Sequence, residues 1–230
     1  PDVVVVFYND HGLNFFLDKM PTFALGAAPE YRNADEGWGI PQVPPFDGAE
    51  DLSWQLIEAL VAADFDITSC QEMQVDHAFT LPMALLWPDQ AWPVTVVPVC
   101  INTVQFPLPG ARRCWQLGQA IGRAVAAFPG DRRVLILGTG GLSHQLDGER
   151  AGFINKDFDL QFMESLTTDP TWATQFSIHQ LVERPGTQGV ELLMWLAARG
   201  ALGAEARKLH ANYHIPISNT AAGLMLMEPA

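Results

Sequence analysis

The sequence predicts an α/β protein, a three-layer α/β/α arrangement around a largely parallel or mixed central sheet. Short unbroken apolar runs at residues 3–8 and 134–137 suit strands covered on both faces. These runs alternate with stretches of helical periodicity, as at residues 51–63 and 112–128. With 230 residues, 48% hydrophobic and only 17% charged, the chain can bury a sizeable core.

Residues 3–8 form the first strand, β-branched and continuous, and end in Asn9-Asp10-His11-Gly12. Residues 20–48, rich in Pro and Gly, read as a long irregular excursion that includes Asn33-Ala34-Asp35-Glu36-Gly37. Such excursions in compact domains are often functional. Residues 51–63 place Leu52, Leu56, Ala59 and Leu60 on one helical face, after an acidic start that favours the helix dipole. Residues 65–69 read as a second strand, leading to Val75-Asp76-His77. Residues 94–101 are a third, which Pro98 makes irregular.

The helix at 112–128 is followed by Pro129-Gly130 and the strand 134–137. Asn155 suits the N-cap of a helix over 156–166. Residues 190–199 predict a short helix closed by Gly200, residues 205–210 another, and residues 220–227 a last strand. The whole is expected to be a single domain, residues 1–230.

A net charge of −13 argues against a nucleic-acid or anionic membrane surface, which needs clustered Lys and Arg. No apolar run approaches the ~20 residues that cross a bilayer. No cationic leader precedes the first strand. Cys70, Cys100 and Cys114 are odd in number and form no C-x-x-C pair, so free thiols and a cytoplasmic location are expected. The chain begins inside an apolar strand without an initiator Met, which suggests a piece of something longer.

The chemistry centres on R-V-L-I-L-G-T-G-G-L-S-H-Q-L, residues 133–146. Gly138, Gly140 and Gly141 permit a tight turn or a close backbone approach, and His144 is the first titratable side chain after them. The carboxyl edge of a buried strand is where open α/β sheets bind small molecules. Residues 138–143 miss G-x-G-x-x-G at the last position, and 141–145 miss G-x-S-x-G at Gln145.

His11, His77 and His144 all follow apolar strands, and an Asp immediately precedes the first two. His179, His210 and His214 lie outside that pattern and read as surface or packing residues. Glu191 sits on a helix apolar nearly all round, with Trp195 and Ala198 on its own face. A carboxylate buried there needs a cation, a metal or several donors. Two His and one carboxylate match non-haem Fe(II) sites, and on ligand type alone also zinc hydrolases.

Several phrases together carry a resemblance. These are Tyr8-Asn9-Asp10-His11, Ala34-Asp35-Glu36-Gly37-Trp38-Gly39, Val75-Asp76-His77 and residues 138–146. Arg150-Ala151-Gly152, residues 189–196 and residues 214–220 complete the set. The chain resembles the type II (LigB-like) extradiol ring-cleaving dioxygenases along its whole length, those acting on protocatechuate first and on gallate next.

The resemblance implies Fe(II)-dependent meta cleavage by O₂ of a catechol bearing a carboxylate. It implies His11 and Glu191 as metal ligands, with a third, a His in a Ser-His-x-Pro segment, expected upstream of Pro1. By the same resemblance His144 is the catalytic acid/base and His77 a second active-site histidine. Ser218 and Asn219 fall where the family contacts the substrate carboxylate. A small α subunit or a fused α-like domain is the implied partner, in a homo- or hetero-oligomer. The alternative of another class is a non-catalytic binding homologue.

Overall fold

The computed structural model describes residues 1–89 and 91–230. In chain order the strands are β1 (Val3–Tyr8), β2 (Phe23–Gly26), β3 (Glu30–Asn33), β4 (Phe46–Asp47) and β5 (Thr68–Cys70). They continue with β6 (Gln74–Val75), β7 (Thr95–Ile101), β8 (Val134–Gly138), β9 (Ala206–His214) and β10 (Ala222–Pro229). The helices are α1 (Glu50–Ala62), α2 (His77–Leu86), α3 (Ala111–Ala126), α4 (Lys156–Thr168), α5 (Ile178–Glu183) and α6 (Leu192–Ala201).

The central sheet has the order β5-β2-β7-β1-β8. Strands β7, β1 and β8 are parallel, and β2 runs antiparallel to β7, so the sheet is mixed, as expected. Strand β1 divides the core by its period of two. Val3, Val5 and Phe7 join the cluster built with α1, α3 and α6; Val4, Val6 and Tyr8 face α2 and the small sheet β4-β3-β6. The second layer is therefore thin: one helix and three short strands cover it.

Gly118 and Gly122 let α3 lie directly on α6, because a Cβ at either would strike the Ala197 or Ala201 carbonyl. That close crossing fixes the helix whose first turn follows Glu191.

Some sequence expectations needed correction. Residues 20–48 contain β2, β3 and β4, since Tyr31 and Phe46 pair across β3 and β4 and are buried against the second core. Residues 206–210 are strand, part of β9, and not helix. Good helix formers there yield to the pairing of β9 with β10, because tertiary pairing outweighs intrinsic propensity.

The second strand begins at Thr68 rather than residue 65, and Gly200 lies inside α6 rather than after it. Strand β8 is only half-buried along its length, being an edge of the sheet; apolarity reports covered faces and not a lateral neighbour. Pro98 sits in a central strand without irregularity. The β2 ladder reaches only Val99, so a residue lacking an N–H is accommodated beside it.

Candidate metal centre

Three adjacent parallel strands, β7, β1 and β8, release their chains at one edge of the sheet. Their continuations carry Thr103, then Asn9 and His11, then Gly140 to His144. The 3-10 turn Gly189–Glu191 brings Glu191 beside them from the start of α6. A cavity of about 690 Å³ opens here, and His11, His77, His144, Glu191 and Thr220 line it.

The three imidazoles share one design. His11 Nδ1 lies 2.8 Å from Asp76 Oδ2, His77 Nδ1 2.7 Å from Glu36 Oε2, and His144 Nδ1 2.9 Å from the Leu142 carbonyl. Each partner only accepts, so each Nδ1 carries the hydrogen and each Nε2 is left for the cavity. The rings of His11 and His77 stack at 4.4 Å, and Trp38 meets His77 edge-on.

Glu191 is buried at 8% exposure, as its apolar helix predicted. Its Oε1 lies 3.7 Å from His11 Nε2, and its Oε2 lies 3.8 Å from His144 Nε2. The Gly141 N–H donates to Oε2 at 2.8 Å, and Asn9 Nδ2 donates to Oε1 at 3.3 Å. Burial raises the Glu191 carboxyl, but His11, His144 and the Gly141 N–H outweigh it and hold the group below its usual range. For His11, burial opposes a charge, yet Asp76 and Glu191 prevail and lift it to about 10. This is a place that holds a positive charge, as a proton or as a metal ion.

The donor set fits a divalent ion. Asn9 Nδ2 also lies 3.2 Å from His11 Nε2, so two acceptors converge on one amide, while Asn9 Oδ1 is buried with no partner among the described residues. A cation between His11 Nε2 and Glu191 Oε1 would satisfy both acceptors. His11, Asp76 and His77 also offer ligand atoms within 4.8 Å of one another. Asp76, however, is spent: Oδ2 accepts the His11 N–H and Nδ1–H, and Oδ1 accepts the Ala78 N–H as the cap of α2. It supports the histidine from behind, as carboxylates do behind metal-binding imidazoles.

The glycines position His144. Gly140 has φ +100°, and a Cβ there would lie 2.7 Å from Glu191 Cβ. A Cβ on Gly141 would lie 2.9 Å from the His144 ring. Residues 220–221 pair back onto this loop through Leu142 N–H to Ala221 O and Ala221 N–H to Ser143 O. Ser143 and Tyr213 both donate to buried Asp159, tying α4 and β9 to the same loop.

The structure thus gathers His11, His77, His144 and Glu191. Ser218 and Asn219 are exposed and do not line the cavity; their neighbour Thr220 does. His179, His210 and His214 are exposed. Sequence reasoning passed over Asn9, Glu36 and Thr103. The first two stood inside quoted phrases, but only the fold shows which atoms they touch. The shared Asp-His phrase also hides two roles. Asp10 accepts from the backbone N–H groups of Gly12 through Phe15 and folds the loop, whereas Asp76 holds His11.

Among the described residues no helix is long and apolar enough to cross a membrane.

The family described as the catalytic LigB subunit of aromatic ring-opening dioxygenase matches residues 1–225. A gallate dioxygenase of Pseudomonas putida is 40% identical over 194 residues, 84% of this chain and 57% of that protein. A 2,3-dihydroxyphenylpropionate/2,3-dihydroxicinnamic acid 1,2-dioxygenase of Photorhabdus laumondii is 41% identical over 63% of this chain and 43% of its own length. The chain therefore spans about half the length of these curated relatives. An uncharacterized Escherichia coli K12 protein of known structure shares the fold at TM-score 0.54 and 17% identity, covering 96% of this chain and 83% of that one. The chain belongs to the LigB family of catalytic subunits of aromatic ring-opening dioxygenases.

Proposed function

We propose that this chain is the catalytic domain of an Fe(II)-dependent extradiol dioxygenase that opens a catecholic carboxylate with O₂. One observation carries the reading: three imidazoles, each fixed through Nδ1, present Nε2 to one cavity around a buried carboxylate. His11 and Glu191 would hold the iron. A bound ferrous ion supplies the redox chemistry, letting electrons pass from ring to O₂ without a diffusible reductant.

The chain's own residues do the rest. Asp76 fixes the His11 ring, and Glu36 fixes His77 beside the substrate. His144 takes a phenolic proton at Nε2 and later returns it, with Leu142 O holding Nδ1–H and Glu191 Oε2 facing the resulting imidazolium. Val104, Phe106 and Leu108 form an apolar wall of the cavity.

Among the described residues no Lys or Arg lines the cavity, so neutral donors orient the ring. Ser218 and Asn219 serve a substrate carboxylate only if their segment moves inward on binding. Gallate stands level with protocatechuate as substrate, because the gallate dioxygenase is 40% identical. Exposed Trp38, Leu81, Val104, Phe106 and Leu146 rim the opening, an apolar border suited to a covering α-like subunit or domain in an oligomer. Its buried free thiols suit a cytoplasmic enzyme.

Substituting His144→Phe tests the mechanism. The variant is expected to retain iron and lose turnover by about 10²–10⁴-fold. Near wild-type turnover would remove His144 from the mechanism. Metal analysis of the full-length protein separates the alternatives: stoichiometric zinc would favour a hydrolase, and no metal a binding homologue. Parallel turnover of gallate and protocatechuate ranks the substrates.

A further inference from the structure

Asp159 is 1% exposed near the start of α4, and three donors converge on it. Its Oδ1 accepts the Ser143 N–H at 3.0 Å and the Ser143 hydroxyl at 2.7 Å, and its Oδ2 accepts the Tyr213 hydroxyl at 2.8 Å. Donors alone on both oxygens are the pattern of an ionised carboxylate. Among the described residues no Lys or Arg bonds to it, and a charge buried without a cation is costly. A neutral acceptor would satisfy the Ser143 N–H equally well, so the charge calls for a reason beyond that one bond.

The Leu142–Ser143 peptide supplies the reason. Its N–H faces Asp159 Oδ1, while its carbonyl accepts His144 Nδ1–H at 2.9 Å. The bond is trans, so these two groups point in opposite directions. Carboxylate, peptide and imidazole thus form one chain of hydrogen bonds. The peptide dipole lies with its positive end on Asp159 and its negative end on the His144 Nδ1–H. An anion at the N–H makes the carbonyl a stronger acceptor, because hydrogen bonds in a chain polarise one another.

The peptide is also pinned in place. The Leu142 N–H donates to Ala221 O at 3.2 Å, and the Ala221 N–H donates to Ser143 O at 2.8 Å. Leu142, Ser143 and Ala221 are all buried, so water does not screen the chain. Asp159 does not line the cavity, and its route to the site runs through His144.

We propose that Asp159 is a positioning residue that acts through the Leu142–Ser143 peptide, holding the His144 ring with Nδ1 protonated and Nε2 turned to the cavity. It does for His144, across one peptide, what Asp76 does for His11 by direct contact. The assignment rests on the reading of His144 as the proton-transfer group and deepens it.

Proton NMR of the metal-free full-length protein reads the link directly. The His144 Nδ1–H resonance is assigned by its loss in His144→Phe. It should move upfield in Asp159→Asn and in Asp159→Ser, as the carbonyl becomes a weaker acceptor. It should stay in Tyr213→Phe, which removes a bond from the same carboxylate on the side away from the peptide. Both Asp159 variants read the same quantity, so one folded protein suffices.

Steady-state kinetics of the Fe(II)-loaded enzyme on gallate reads the consequence. Asp159→Asn should lower kcat about tenfold and leave KM and iron content within about twofold. Tyr213→Phe should lower the melting temperature and leave kcat within about twofold. A merely structural Asp159 would make the two variants lose activity in step with their stability.

The inference is overturned if wild type lacks the resonance, if the Asp159 variants leave it unmoved, or if Tyr213→Phe moves it as far. It is equally overturned if Asp159→Asn turns over like wild type or changes only KM. The expected shifts in a protein that opens no ring would count against the catalytic reading and leave the link between Asp159 and His144 as assigned.

Discussion

Asp76 holds His11 twice: its Oδ2 accepts the backbone N–H and the ring Nδ1–H of that residue, each at 2.8 Å. One buried carboxylate thereby sets both where the loop leaves β1 and which way the imidazole faces. Asp76→Asn keeps an oxygen for the α2 cap but removes the charge behind the ring. It is expected to weaken Fe(II) binding by about 10–100-fold with little change in helix content. Anaerobic metal titration with circular dichroism checks this, and unchanged affinity would show that His11 does not hold the ion.

Glycine at 141 is set by His144. A methyl there meets the imidazole at 2.9 Å and the Thr220 side chain at the same distance. Gly141→Ala should therefore displace the ring, cost about 1–3 kcal/mol in stability and depress turnover more than substrate binding. Comparing kcat with KM alongside thermal melting separates these effects. A variant as active as wild type would mean that the loop yields without moving His144.

Arg199 closes α6 from inside the protein. It is 1% exposed and donates to the carbonyls of Leu166 (2.6 Å), Gly203 (2.8 Å) and Ala204 (3.1 Å), joining the ends of α4 and α6. Arg199→Leu would leave three carbonyls without their donor, and a loss of about 3–5 kcal/mol is expected. Denaturant unfolding measures it. A loss under about 1 kcal/mol would show that water replaces the guanidinium without cost.

The thiols should be silent in the native protein. Cys70, Cys100 and Cys114 are all buried, and burial pushes the Cys70 thiol up to about 11 and raises Cys100 and Cys114 as well. A raised value means little thiolate at pH 8, and the thiolate is the reactive form. A disulfide reagent at pH 8 should find no rapidly reacting thiol until denaturant is added, when all three titrate. A fast native thiol would contradict the packing around β5, β7 or α3.

The amino-acid sequence by itself determined the class of fold and most of its framework. The apolar runs of β1, β7 and β8, the capped helix after Asn155 and the buried carboxylate at 191 follow from periodicity and the cost of burying charge. It also placed His11, His77 and His144 at strand ends, since a short polar phrase after a buried strand has few other places to go. Helix formers in β9 misled, because pairing with β10 decided their state. Only the tertiary structure decided which atoms meet. Nothing local could show that Asp76 reaches back 65 residues to His11, that Glu36 reaches His77, or that Asp10 instead folds its own loop. Nor could it show that Thr103 lines the cavity. Local pattern specifies which groups are polar and where the chain turns. Their partners are set by strand order and helix packing, which bring distant segments to one edge of the sheet.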